Sequence, residues 1–271
     1  MAKTGLPRIA AVMAAHNADK TLLEAVNSLL IDKIPIDIYI VDDASKTPAT
    51  ELFRGKIPPY IKIMRQEINV GAAKARNIAL REILSRDYEF AAVMDSDDIA
   101  LPGRISKTID YLDAHPQVAA VGGWAHCVDE ETLEPLYDLC HPLENDAIRR
   151  LMMLDARFVH STVTLRVAAL RKAGLYNEKF PVAQDYEIMM RFAQEYKLAN
   201  LPEYLLRYRV CKNGISVKRM TKQRRARLQI QGMYFQPQQP LAWYGLARSF
   251  VRVLIPSFIV EAVKTLTGKK S

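Results

Sequence analysis

Apolar positions in the first half of the chain follow two alternating patterns. Short runs rich in β-formers occur at RIAAVMAA, IDIYIVDD, YIKIMRQ and YEFAAVMDSDD, separated by the helix-like segments DKTLLEAVNSLL, ATELFRG and NVGAAKARNIALREILSRD. In the last of these, Val70, Ala73, Asn77, Leu80 and Leu84 recur at helical spacing, with Asn69 placed to cap the helix. The succession reads βαβ. The strands lack polar alternation, as expected of parallel strands covered on both faces. The fold expected is therefore α/β: a single Rossmann-like open sheet with helices on both faces. In such sheets ligands bind beyond the carboxyl ends of the strands. Two strands here end in acids, at Asp42-Asp43 and at Asp95-Ser96-Asp97-Asp98, so the two clusters are expected to share one cleft.

Further along, SKTIDYLDAHPQ reads as a helix, VAAVGGWAHCV as a strand and DEETLEP as an acidic loop. AQDYEIMMRFAQEY reads as a helix with Ile188, Met189, Phe192 and Tyr196 inward and Asp185 near its start, where the helix dipole favours a carboxylate. Between 141 and 203 the pattern is otherwise a mixture of short elements. With 271 residues and 49% hydrophobic content, a large domain over 1–216 with a helical basic extension over 217–271 is expected. Cys127, Cys140 and Cys211 are far apart and form no CxxC, which points to a reducing compartment and away from structural zinc. The N-terminal stretch has no signal-peptide layout, so a cytoplasmic location is expected.

Charge divides the chain. Residues 1–203 hold 24 Lys and Arg against 29 Asp and Glu, whereas residues 204–271 hold 14 against 1. The basic part suits RNA, an anionic membrane, a polyphosphate or simply a solvated helix face. Trp243, Tyr244, Phe250 and Phe258 interleave there with Arg248 and Arg252, and with Pro256 this composition fits a segment lying in a membrane interface better than one crossing it. A nucleic-acid-binding protein would use the same tail but leaves the acid clusters unexplained.

The Asp95-x-Asp97 pair offers hard oxygen ligands suited to Mg²⁺ or Mn²⁺, ions that hold phosphates and assist a departing diphosphate. The alternative is an Asp-rich loop, with Asp98 placed to cap the helix after Pro102. Asp42 and Asp43 suit either a nucleobase or ribose contact or an Asx-turn. Lys74, Arg76 and Asn77, at the start of the third helix, suit a diphosphate or base contact or a solvent-facing role. No GxGxxG or P-loop is present. A phosphohydrolase reading of DSDD lacks the expected Thr after Asp97 and places the acids after the fourth strand instead of the first.

AAHNADKTLLEAVNSLL, IVDDAS, NVGAAKARNIAL, VMDSDDIALPGRI, AGLYNEKFPVAQDYEIMMRF and YRVCKNGIS, in this order over about residues 8–216, resemble the family 2 glycosyltransferases of GT-A fold. The resemblance implies a metal-dependent, inverting transferase that uses a nucleotide-diphosphate sugar, most often a UDP-sugar. Donor binding is expected of Ala14, His16, Asn17, Asp42, Asp43, Lys74, Arg76, Asn77, Asp95, Ser96 and Asp97; the resemblance implies Asp42 and Asp43 with Arg76 and Asn77 near the base, Asp95 on the ribose side, Asp97 on the metal, and Asp185 as the general base. Arg191, six residues on from Asp185, falls on the far side of that helix and is expected to organise structure.

Three departures from the family pattern stand out. Gln184 replaces the usual Glu before the base, Ala14-Ala15-His16-Asn17 replaces Pro-x-Tyr-Asn, and Cys211 replaces a late His, leaving Arg209 and Lys212 to act in that loop. With Gln184, His160 and Trp124 are candidates for the acceptor side, against a structural histidine and a core tryptophan. The partners expected are a nucleotide-diphosphate sugar and a saccharide or polyprenyl-linked acceptor in cell-surface polysaccharide biosynthesis at the inner face of the membrane, with no nucleic acid.

Overall fold

Parallel strands β1 (Ile9–Ala15), β2 (Ile36–Asp42), β3 (Ile61–Arg65) and β4 (Phe90–Val93) lie in the order β3-β2-β1-β4. Helices α1 (Leu22–Leu29), α2 (Ala49–Leu52) and α3 (Ala72–Leu84) connect them. The computed structural model describes residues 7–211 and 220–255, and Lys212, Pro256 and Phe258 lie outside the described residues. Register is continuous from Ile9 opposite Ile36 to Ala15 opposite Asp42, and Val12 lies opposite Val93. The acid-bearing ends of β2 and β4 therefore flank the end of β1 at one edge of the sheet.

The rest of the sheet is mixed, which refines the Rossmann-like expectation. After β5 (Ile99–Ala100) and α4 (Ser106–Ala114) come β6 (Val118–Asp129), β7 (Pro135–Leu139), α5 (Asn145–Met152), a 3₁₀ turn at His160–Thr162, β8 (Thr164–Arg166), α6 (Val167–Ala173), α7 (Gln184–Glu195) and β9 (Lys197–Val210). β8 pairs antiparallel with both β4 and β6, β6 runs parallel to β9, and β5 and β7 add antiparallel edges to β9 and β6. Successive β1 residues feed opposite cores, because strand side chains alternate between faces. Ala10 and Val12 join α3, α6 and α7 on one face, whereas Ile9, Ala11 and Met13 join α1 and α4 on the other.

Two expected caps are supplied by other residues. The α3 cap position is Gly71, at φ 84°, and the carboxylate of Asp43 accepts from Val70 N (2.7 Å) and Gly71 N (2.9 Å), while Asn69 donates to Asp43 O. Asp98 does not cap α4. Asp32 does, accepting from Gly103 N (2.6 Å), Ile105 N (2.8 Å) and Ser106 N (3.0 Å). A side chain distant in sequence reaches these N–H groups because the α1–β2 loop passes beside the helix start.

The basic segment packs back on the core through α8 (Met220–Met233) and α9 (Pro240–Leu254). Ile230 is fully buried, Gln231 donates to Met153 O (2.7 Å), and Tyr234 donates to Glu187 on α7 (2.7 Å). Glu187 also holds Arg191, whose other donors reach Gly174 O (3.0 Å) and Leu175 O (2.6 Å). Arg191 thus ties α6 to α7, the organising role expected of it. No helix among the described residues is long and apolar enough to cross a membrane.

Candidate active site

Loops at the strand ends build the walls of the cleft. After β1, His16 and Asn17 are exposed and tied to the β2–α2 loop: His16 Nδ1 meets Asp43 O (2.7 Å), Asn17 N donates to Ser45 Oγ (3.0 Å), and Lys46 N donates to Asn17 Oδ1 (2.8 Å). Asn17 (φ 53°), Ala44 (φ 58°) and Ala183 (φ 59°) occupy the left-handed region, unfavourable for non-glycine residues, and all three lie in loops beside this edge. Ala14, at the end of β1, is half-buried.

Asp42 is fully buried and its carboxylate is engaged by Ser45 N (2.9 Å), Ala49 N (2.9 Å) and Arg65 (2.5 Å). Burial opposes its ionisation, but these hydrogen bonds outweigh burial and hold the carboxyl below the usual range. The Asp42 carboxylate thus closes the turn that follows β2. Asn77 is engaged likewise. Its buried amide accepts from Tyr176 N (2.9 Å) and donates to Tyr176 O (2.9 Å) and Glu178 (2.9 Å), stapling α3 to the segment before α7. Lys74 is exposed on α3.

Arg76 differs from both. Its guanidinium is buried, ion-paired to Asp95 and 5.9 Å from the Tyr176 ring centre, and its Nε and Nη1 have no partner. Burial works against the charges of Arg76 and Asp95, and their pairing overcomes it for both. The remaining acids behave oppositely. Burial, then repulsion from Asp95, pushes Asp97 up to about 6, and burial with Asp97 and Asp95 raises Asp98 well above the carboxylate range. Ser96 is buried between them.

Ligand oxygens of Asp95, Asp97 and Asp98 all lie within 4.8 Å of one another. Asp98 accepts from Arg209 N (3.0 Å) through one oxygen, while its buried Oδ2 has no partner. Three hard donors whose repulsion calls for a cation, one of them orphaned, fit Mg²⁺ or Mn²⁺.

Asp185 stands in the first turn of α7, behind half-buried Gln184 and the strained Ala183. With His160, Arg157, Tyr186 and Met189 it lines a small cavity. The Tyr208 phenol on β9 is pushed up by burial and then by the charges of Asp98, Asp95, Asp97 and Asp185. Acids from two elements far apart in sequence therefore act on one side chain.

His160 Nε2 meets Tyr176 Oη (3.0 Å), and its Nδ1 is buried without a partner. Burial, then the cation of Arg76, pushes its imidazole down to about 4, so it is neutral near pH 7. Trp124 donates to His141 O (3.0 Å) and packs edge-on against Tyr204, the packing alternative for this residue. Arg209 donates to Asp97 O (2.6 Å) and to Glu24 (2.5 Å), which sets its guanidinium between the acid loop and α1. Burial and Glu130 push the Cys211 thiol up to about 12, leaving it protonated and a poor stand-in for a histidine ligand.

The sequence model described as "Glycosyl transferase family 2" matches residues 10–174. The chain belongs to this glycosyltransferase family. The amylovoran biosynthesis glycosyltransferase AmsE of Erwinia amylovora is 32% identical over 158 residues, which cover 58% of this chain and 57% of AmsE. Among solved structures, S. aureus TarS 1–349 in complex with UDP superposes with a TM-score of 0.64 at 19% identity, covering 90% of this chain and 70% of TarS 1–349. The mannosyltransferase PcManGT of Pyrobaculum calidifontis, in complex with GDP-Man and Mn²⁺, gives 0.65 at 16% identity, covering 97% and 81%. The fold of this glycosyltransferase is GT-A, as expected from the sequence.

Several residues that shape the glycosyltransferase's cleft carry no signal in the local sequence. Arg104 is fully buried, and its guanidinium binds Val93 O (3.1 Å), Val163 O (3.0 Å), Ser161 O (3.3 Å) and Thr164 Oγ1 (2.9 Å). It pins the end of β4 to the His160 turn directly beneath the acid loop. Burial depresses its guanidinium, with no carboxylate bonded to it. Tyr176, Tyr208 and Glu24 are likewise placed only by the fold. The motif LPGRI contains Arg104, but nothing in its spacing shows that the side chain points inward.

Proposed function

We propose that this enzyme is an inverting, divalent-metal-dependent transferase that moves a sugar from a nucleotide-diphosphate sugar, most fittingly a UDP-sugar, to a hydroxyl of a saccharide or lipid-linked saccharide. Cell-surface polysaccharide biosynthesis at the inner face of a membrane is the setting, with the α8–α9 region towards the lipid. The observation that carries the reading is the cluster of Asp95, Asp97 and Asp98, whose ligand oxygens lie within 4.8 Å of one another, joined through Arg76, Tyr176 and His160 to the cavity that Asp185 lines. It supports reading the acid cluster as the cation site and Asp185 as a separate carboxylate serving the same reaction.

Asp97 and Asp95, with the free oxygen of Asp98, would hold Mn²⁺ or Mg²⁺. When bound, such an ion supplies charge stabilisation to a departing diphosphate. The protein's own part is positional. Arg76 keeps Asp95 ionised, the cross-linked His16-Asn17 and Asp43-Ser45 loops wall the nucleotide side with Ala14, and Ser96 and Lys74 border the phosphates. Asp185 accepts the proton of the acceptor hydroxyl as its oxygen attacks the anomeric carbon from the face opposite the diphosphate. A carboxylate suffices because the oxocarbenium-like transition state leaves proton transfer late. His160 and Gln184 border Asp185 on the acceptor side, and one displacement inverts the centre.

Donor hydrolysis and transfer measured across UDP-, GDP- and dTDP-sugars with Mn²⁺, together with calorimetric donor binding, test the reading. Asp97→Ala is expected to abolish metal-dependent donor binding. Asp185→Asn is expected to keep binding near wild type and to lower turnover by about 10³-fold or more. The opposite pattern overturns the two assignments.

A further inference from the structure

Helix α9 is built inside out. The side that docks on the core carries small residues: Ala242, Gly245 and Ser249 are buried, and a Cβ at Gly245 would stand 2.1 Å from Met153 O. Its bulky side chains point outward. Trp243 is 58%, Phe250 55%, Val251 51% and Leu254 64% exposed, with Tyr244 beside them. Trp243, Ala247, Phe250 and Leu254 are spaced by four, three and four residues, so they form one stripe along the helix. A monomer stabilised only by its own core would carry the opposite pattern.

Beside that stripe, α8 and α9 enclose a groove of about 420 Å³ lined by Arg224, Arg227, Arg252, Gln223, Ser249 and Ile255. Residues 220–255 hold Lys222, Arg224, Arg225, Arg227, Arg248 and Arg252 and no Asp or Glu. Asp155, from the core, pairs with Arg227. Arg224 binds Arg252 O (3.1 Å) and Ile255 O (3.2 Å), which sets its guanidinium at the groove. Burial, then Arg248, holds Arg252 below its ordinary value; the carboxylate of Asp155 opposes the shift, and Arg227 and Arg224 add to it.

We infer that this face is a docking surface for an anionic phospholipid bilayer, with the α9 stripe inserted among the acyl chains and the arginine groove taking a lipid phosphate. The inference deepens the proposed function, on which its biological setting rests. Aromatic and aliphatic anchors beside arginines match the interface of an anionic leaflet, and arginine forks match phosphate oxygens. A second copy of the chain fits less well, because a self-complementary contact would bring the Arg248–Arg252 edge against its own kind. The geometry also has a consequence for catalysis. α8 packs on α7, whose first turn carries Asp185, so docking here holds the acceptor side of the cleft near the bilayer.

Flotation of the full chain with phosphatidylcholine vesicles, with and without phosphatidylglycerol, tests this. The wild type is expected to float with the anionic vesicles, and raising salt is expected to weaken it. Phe250→Ser/Leu254→Ser and, separately, Arg252→Gln are expected to lower vesicle partitioning by roughly ten-fold or more. Both changes fall on outward positions, so unchanged UDP binding and thermal melting show that the fold and the donor site are intact. Equal partitioning of wild type and variants, or recovery of the wild type in the soluble fraction with both vesicle types, overturns the inference. So does a concentration-dependent dimer in sedimentation that Phe250→Ser/Leu254→Ser abolishes without any vesicle binding. Because donor binding is read separately, its loss would count against the proposed function and leave the docking result standing.

Discussion

At the scale of single residues, the site works by unequal treatment of like groups. Asp95 is kept ionised by Arg76, whereas burial and their neighbours' charges push Asp97 up to about 6 and Asp98 well above its ordinary value, although the three are almost contiguous. His160 shows the same logic with opposite sign. Its folded value of about 4 lies below the ordinary 6.5, so between those pH values the unfolded chain takes up a proton that the folded chain refuses. Stability is therefore lost as pH falls from 6.5 towards 4, by roughly 3 kcal/mol for this group. His160→Gln is expected to flatten that part of the pH dependence, as checked by urea melts of both proteins at pH 7 and pH 4.5. Asp42 and Asn77 were legible as polar residues at strand and helix ends. Their engagement with Ser45, Ala49 and Tyr176 was not, because burial of a carboxylate or amide depends on chain segments that local spacing does not describe.

At the scale of elements, the parallel half of the sheet and its helices could be read from periodicity alone. The caps could not. Asp32 satisfies four donors at the start of α4 from a loop more than seventy residues earlier. Asp32→Ala is expected to cost about 1–2 kcal/mol in equilibrium unfolding, whereas Asp98→Ala, which removes no helix cap, should instead disturb metal-dependent donor binding. Arg104 belongs to the same class of long-range fastening: one guanidinium binds carbonyls of β4 and of the segment around Ser161, joining the acid loop to the His160 turn.

For the whole molecule, the tail helices and the cleft form one packed unit through Glu187, which holds both Arg191 and Tyr234. Gly245→Val should pry α9 from Met153 and open the segment after Met233 to limited proteolysis, with little effect on UDP binding. Intact α9 in that variant would contradict the docking described. The sequence by itself determined the βαβ succession, the placement of acids at strand ends, the family and the charge contrast between core and tail, because these depend on periodicity, composition and ordered motifs. Only the tertiary structure decided that β6, β8 and β9 complete a mixed sheet, that Asp42 and Asn77 serve the scaffold while Arg76 serves Asp95, and that α9 turns its large apolar side chains to the outside. Each of these rests on contacts between segments distant along the chain, where burial and pairing with a remote partner, rather than local preference, set what a side chain does.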